Sequence, residues 1–238
     1  VGAAVALPLL SRAQDASMPG MAYTLFTVGE AVVSGLMELS EDARKMGLRP
    51  SWLGYVGVDD VDATADRILR LGGAVHVPPT SIPNISRFSV AVDPQMATFA
   101  LFKWLQGDQQ PAALSAPGRV GWHELLAADV EKAWTFYGEL FGWQEAHAET
   151  PAAGTYRLFS AGGETIGGMC TKPATAPVPF WLYYFNIGDI DAAMKRVKAG
   201  GGRIVVGPME VPGGRWIVQC VDPQGAIFAL AGKLSHDG

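Results

Sequence analysis

One stretch of this chain occurs twice. The segment WLGYVGVDDVDATADRILRLGGAVHVPPTSIP, starting at Trp52, runs in step with WLYYFNIGDIDAAMKRVKAGGGRIVVGPMEVP, starting at Trp181, at an offset of 129 residues. Farther on, VDPQMATFAL from Val92 meets VDPQGAIFAL from Val221 at the same offset. A repeat of this length constrains the architecture more tightly than any local propensity, because both copies must fold alike.

The element signals follow the repeat. Residues 52–58 and 181–187 are rich in aromatic and branched side chains and read as strands. Each run meets an aspartate, Asp60 or Asp189, placed to cap a helix by accepting from an early backbone N–H. Val61, Ala65 and Ile68 then share one helical face, as do Ile190, Ala193 and Val197. Gly72-Gly73 and Gly201-Gly202 end these helices, and a strand follows each, ending near Pro79 or Pro208. Two further strands form a hairpin around Asp93-Pro94-Gln95 in one copy and Asp222-Pro223-Gln224-Gly225 in the other.

Each half-unit is preceded by another half. In the second copy, WHELLAAD from Trp122 reads as a strand running into a cap at Asp129. The helix after it lines up Val130, Ala133, Tyr137 and Leu140 and stops near Gly142, with strands at 155–160 and 164–171. In the first copy, YTLFTVGEAVVSGLM from Tyr23 matches YRLFSAGGETIGGMC from Tyr156. Counting back from Tyr23 places Val1 inside the first helix, where Pro8 would break it. The first copy is therefore expected to lack its opening strand. The resulting fold class is α+β, with two tandem βαβββ modules. The first spans residues 1–105, a linker 106–118 and the second 119–234.

Composition narrows the function classes. The net charge is −5 and no Lys/Arg stripe exists, which argues against nucleic acid as a partner. No apolar run reaches the roughly 20 residues needed to cross a bilayer, so no membrane partner is expected. Cys170 and Cys220 stand alone in apolar runs, as thiols of a reducing compartment do, and the expected location is cytoplasmic. The chain contains no strand-GxGxxG-helix, no phosphate loop ending in GK[ST], no GxSxG elbow and no HExxH.

DVEKAWTFYGELFGW at 129–143, VDDVDA at 58–63 and the two VDPQ hairpins resemble the paired modules of the vicinal oxygen chelate superfamily. That group includes glyoxalase I, bleomycin-resistance proteins and extradiol dioxygenases. WHELLAAD and FALFK look more narrowly like two-domain actinobacterial proteins of glyoxalase-like or hydroxylase-like type. The resemblance implies curved mixed sheets forming half-cups, with the helices outside. It also implies metal-ligand positions, which here hold Trp122, Leu53, Leu182, Ala100 and Ala229. Indole, isobutyl and methyl groups do not ligate divalent metals, so no metal and no other cofactor is expected.

Glu124 shares a strand face with Trp122 and is the first candidate for acid–base catalysis, with His123 on the opposite face. Tyr55 and Tyr184 hold equivalent positions in the two copies and are candidate proton donors. Trp122, Asn186, Leu53 and Leu182 are candidate ligand contacts, and Arg87 and Arg215 candidate anion binders. Each of these polar side chains also has a structural alternative, as an ion pair or a hydrogen-bonded core residue. Two functions follow. One is a glyoxalase-like or hydroxylase-like enzyme acting on a small organic molecule, aromatic or polyketide-like, without the family metal set. The other is a non-catalytic, drug-sequestering protein of bleomycin-resistance type. In either case the expected partner is a small-molecule ligand, and the chain is a monomer or homodimer.

Overall fold

The computed structural model describes residues 11–18, 21–29, 31–45, 47–105, 113–149 and 156–235. Three antiparallel strands come first: β1 (Ser11–Met18), β2 (Met21–Val28) and β3 (Ala31–Met37). A short helix, α1 (Glu41–Lys45), follows. Next come β4 (Tyr55–Gly57), α2 (Val61–Arg70), β5 (Ala74–Ile82), β6 (Ser86–Val92) and β7 (Thr98–Trp104), whose strands pair in the order β4-β7-β6-β5.

The second module opens with β8 (Val120–Ala127) and α3 (Val130–Phe141). The strands β9 (Gln144–Glu149), β10 (Tyr156–Ala161) and β11 (Glu164–Thr171) complete its first half, in the order β8-β11-β10-β9. The last half is β12 (Phe180–Asp189), α4 (Ile190–Ala199), β13 (Arg203–Val211), β14 (Arg215–Val221) and β15 (Ile227–Lys233), in the order β13-β14-β15-β12. Among the described residues no helix is long and apolar enough to cross a membrane.

The helix caps are local and follow the chemistry of their aspartates. Asp60 accepts from the Ala63 N–H at 2.9 Å, Asp129 from Lys132 at 3.1 Å, and Asp189 from Asp191 at 2.8 Å. Replacing such a cap typically costs about 1 kcal/mol. The fully buried Ile68 of α2 and Ile190 of α4 each contribute about 1.5–3 kcal/mol by leaving water.

Irregularities recur as faithfully as the strands do. The β5–β6 ladder shifts register between Val75 and Val77 and again between Val77 and Thr80. The β13–β14 ladder shifts between Ile204 and Val206 and between Val206 and Met209, the same places one repeat later. Bulges re-aim side chains, so their repetition keeps the same residues on the same faces in both copies.

The expectation of curved, cup-forming sheets is corrected: among the described residues no sheet is curled or closed. In the first module, β1-β2-β3 and β4-β7-β6-β5 are separate sheets. β11 has a parallel neighbour in β8, whereas β3 has none among the described residues. Among the described residues no ladder joins the two sheets of the first module. The expected absence of an opening strand concerns the start of the chain, where residues 1–10 lie outside the described residues.

Contacts divide the chain into two compact units that cut across the repeat. One comprises Val1–Trp52, Gln110–Gly121 and Tyr183–Gly238, and the other Leu53–Gln109 and Trp122–Leu182. In the second of these, the late half of copy one packs on the early half of copy two. Phe99 of β7 meets Phe136, Tyr137 and Phe141 of α3 at centroid distances of 5.6 to 6.3 Å. The ring cluster continues through Trp143, Phe159 and Trp181.

The two VDPQ turns are built alike but serve differently. Asp93 accepts from the N–H groups of Gln95 and Ala97, as Asp222 does from Gln224 and Ala226. Asp93 is also buried, and its second oxygen accepts from Tyr137 Oη at 3.1 Å, which in turn accepts from the Trp181 indole at 3.1 Å. The Gln95 amide donates to the Asp129 carbonyl at 2.9 Å and accepts from the Asp129 N–H at 2.7 Å, clipping the turn to the start of α3.

Burial pushes the Asp93 carboxyl above the ordinary carboxylate range, against hydrogen bonds that pull it down. A raised folded-state pKa contributes stability that is fully present below the unfolded value and is lost as pH rises through the folded one. The melting temperature of the natural protein minus that of Asp93→Asn should therefore be most positive near pH ~3 and shrink above pH ~4. A pH-independent difference would contradict this placement of the charge.

Candidate functional site

Strand alternation on β8 places Trp122 and Glu124 on one face. β11 runs parallel beside it, with Gly168 opposite Glu124 and Cys170 opposite Leu126. Tyr156, the first residue of β10, closes the group. Its hydroxyl donates to Glu124 Oε1 at 2.8 Å and accepts from Trp122 Nε1 at 3.0 Å. Glu124 is only 9% exposed. An indole N–H, a phenol and a buried carboxylate thus form one directed chain of hydrogen bonds.

A phenol donating to a carboxylate holds a proton at a defined position. The pair can pass that proton to or from a bound molecule. Cys170 adds no nucleophile. Burial, and secondarily the charge of Glu124, push its thiol up to about 12. Cys220 is likewise raised to about 12 by burial, and both cysteines are free thiols. On the opposite face, His123 Nδ1 lies 2.9 Å from the Ile166 carbonyl.

The other candidates fall in different surroundings. Tyr55 is half-exposed and meets Phe102 edge-on at 5.8 Å, and Phe102 meets Trp104 at 4.7 Å. Arg87 forms a paired contact with Asp62 of α2 at 2.5 and 2.6 Å and a third with Ser81 at 2.9 Å. That hydrogen-bonded guanidinium holds the Asp62 carboxyl below its usual range. Leu53 is half-buried and Leu182 fully buried.

In the unit that contains the end of the chain, Tyr184 is buried and its hydroxyl accepts from Gln219 Nε2 at 3.1 Å. Asn186 is also buried, and its side chain donates to the Leu114 carbonyl at 2.5 Å. Its backbone exchanges bonds with Gly118 and Arg119. Arg215 donates to Asn186 Oδ1 at 2.6 Å and to the Ala231 carbonyl at 2.9 Å. Asn186 and Arg215 therefore hold the inter-module segment at 114–119 against β12 and β15. Wide clefts lie elsewhere. One of about 850 Å³ is lined by Arg70, Gln95, Lys132 and Glu139, and one of about 610 Å³ by Met194, Lys198 and Arg203.

Tyr156 and Gly168 did not figure among the residues singled out from the sequence. Their signal is the Tyr–Gly pair that recurs as Tyr23 and Gly35 in the first copy.

Residues 119–230 match the family described as the Glyoxalase/Bleomycin resistance protein/Dioxygenase superfamily. Relatives extend the likeness over most of the chain. "Putative glyoxylase CFP32" of Mycobacterium tuberculosis is 34% identical over 214 residues, covering 89% of this chain and 80% of that protein. "Anthracycline biosynthesis protein DauV" of a Streptomyces species is 30% identical over 198 residues, covering 77% of this chain and 66% of that protein. Among solved structures, the Mn(II)-bound glyoxalase from Novosphingobium aromaticivorans superposes with a TM-score of 0.64 at 14% identity, over 95% of this chain and 75% of that one. A mutant 4-hydroxymandelate synthase from Streptomyces coelicolor gives 0.59 at 14% identity, over 96% and 86%. The chain belongs to the glyoxalase/bleomycin resistance/dioxygenase superfamily. At 14% identity the structural likenesses show the fold alone.

The residues present do not fit the metal that one of those structures holds. At the positions the family resemblance marks for ligands, Ala100, Leu182 and Ala229 are apolar and fully buried. Trp122 presents an N–H that is already donated to Tyr156. Among the described residues, no three His, Cys, Asp or Glu side chains group to hold an ion. Adding Mn(II), Ni(II) or Zn(II) should therefore shift the melting temperature by less than about 1 °C, since a ligand that does not bind the native state cannot stabilise it. A rise of several degrees, with one ion per chain on elemental analysis, would contradict this.

Proposed function

We propose that this protein is an enzyme that moves a proton on a small organic substrate, with Glu124 and Tyr156 as the acid–base pair. The observation that carries this reading is the hydrogen-bonded chain from Trp122 through Tyr156 to the buried Glu124 carboxylate. A binding protein needs only apolar contacts and a few polar anchors. A buried carboxylate and phenol aligned at 2.8 Å are the equipment of proton transfer.

Within that reading, the activity is of glyoxalase-like type and proceeds without the family metal set; a hydroxylase-like reaction would also require dioxygen and a reductant. Proton abstraction next to a carbonyl, or proton delivery to one, balances with these two groups alone. The substrate class proposed is an aromatic or polyketide-like molecule. The name of the Streptomyces relative, which refers to anthracycline biosynthesis, supports that class.

The test is a turnover screen of the purified chain against aldehydes, α-keto compounds and aromatic ketones, run beside a binding screen of the same compounds. Turnover of at least one member, dependent on Glu124, is expected. Binding of several members with turnover of none would favour the sequestering alternative.

A further inference from the structure

The tyrosine that joins Trp122 to Glu124 is placed by a glycine. β10 pairs antiparallel with β11 so that Leu158 faces Gly168, and β11 pairs parallel with β8 so that Gly168 stands beside Glu124. Tyr156 leans diagonally across this ladder. A Cβ on Gly168 would overlap its ring and lie 2.6 Å from its hydroxyl oxygen. The phenol reaches Glu124 by passing over this one backbone position. Gly168 is absent from the residues with a positive φ, so its backbone is open to any residue. What demands glycine is the space the ring occupies.

The first copy builds the same cradle. Tyr23 and Gly35 stand at the positions equivalent to Tyr156 and Gly168, Leu25 faces Gly35, and a Cβ on Gly35 would overlap the Tyr23 ring. The neighbouring glycine is not shared, since Gly167 corresponds to Ser34. Of the two glycines in the IGGMC run, the one present in both copies is the one beneath a tyrosine.

We infer that Gly168 is a positioning residue: its missing side chain lets Tyr156 lie across β11 and present its hydroxyl to Glu124 and Trp122 at once. The inference rests on Glu124 and Tyr156 being the proton-transfer pair, but its test needs no substrate. The reporter is the Trp122 indole N–H, observed by ¹⁵N NMR of the full chain. The Trp181 indole, which donates to Tyr137 in the core, is the internal control. Gly168→Ala and Tyr156→Phe should both move the Trp122 signal and speed its exchange with solvent about 2- to 10-fold, the worth of one hydrogen bond. The Trp181 signal should stay in place.

An unchanged Trp122 signal in Gly168→Ala, with a moved one in Tyr156→Phe, would overturn the inference. If Gly168→Ala disturbs the fold and Trp181 moves too, the variant carrying both Tyr156→Ala and Gly168→Ala decides. With the ring gone, alanine at 168 should lower the melting temperature no further, whereas an equal loss with and without the ring would overturn the proposal. Failure of the acid–base reading is read separately, from turnover in Glu124→Gln, so either idea can fall alone.

Discussion

Glu124→Gln should lower turnover about 10²- to 10⁴-fold, the usual contribution of a positioned general acid or base. The substitution keeps the size and shape of the side chain. Its carbonyl oxygen can still accept from the Tyr156 hydroxyl, so the chain through Trp122 is retained. The amide cannot take up or release the proton. Folding and ligand affinity should therefore remain near those of the natural protein while the rate collapses. An unchanged rate would remove Glu124 from the chemistry, and a parallel loss of binding and rate would recast it as a binding group.

The second large effect lies in the core. Tyr137→Ala should destabilise the protein by about 3–5 kcal/mol. For a chain of this size that corresponds to a melting temperature lower by roughly 6–20 °C. Tyr137 is fully buried and touches the rings of Phe99, Phe136, Phe141, Trp143 and Trp181. Its hydroxyl also stands between Trp181 and the buried Asp93 carboxylate. Tyr137→Phe keeps the ring and should cost only the hydroxyl's share, about 1–3 kcal/mol. Tyr55→Ala is the contrast. Tyr55 is 49% exposed, and its loss should change stability by about 0.5 kcal/mol or little more. Similar shifts at Tyr137 and Tyr55 in thermal melts would contradict the core described above.

These tyrosines mark how far the sequence could be read. The caps at Asp60, Asp129 and Asp189 were legible because each depends on a backbone N–H two or three residues away. The strands and helices were legible because two copies carry the same pattern. The curl of the sheets was not, because it depends on which strands meet across the whole module, and that is a non-local property. Glu124 stands out by alternation along β8, but its partner Tyr156 lies 32 residues away and reaches it over Gly168. Asn186 donates to the carbonyl of Leu114, 72 residues earlier. Arg87 pairs with Asp62 of α2, 25 residues earlier. In each case the deciding contact is long-range, and single-strand periodicity carries no information about it.

A crystal structure with a substrate found in the turnover screen tests the central claim most directly. The reacting atom should lie within about 2.6–3.2 Å of the Glu124 carboxylate or the Tyr156 hydroxyl. A turned-over substrate bound away from both groups would contradict it.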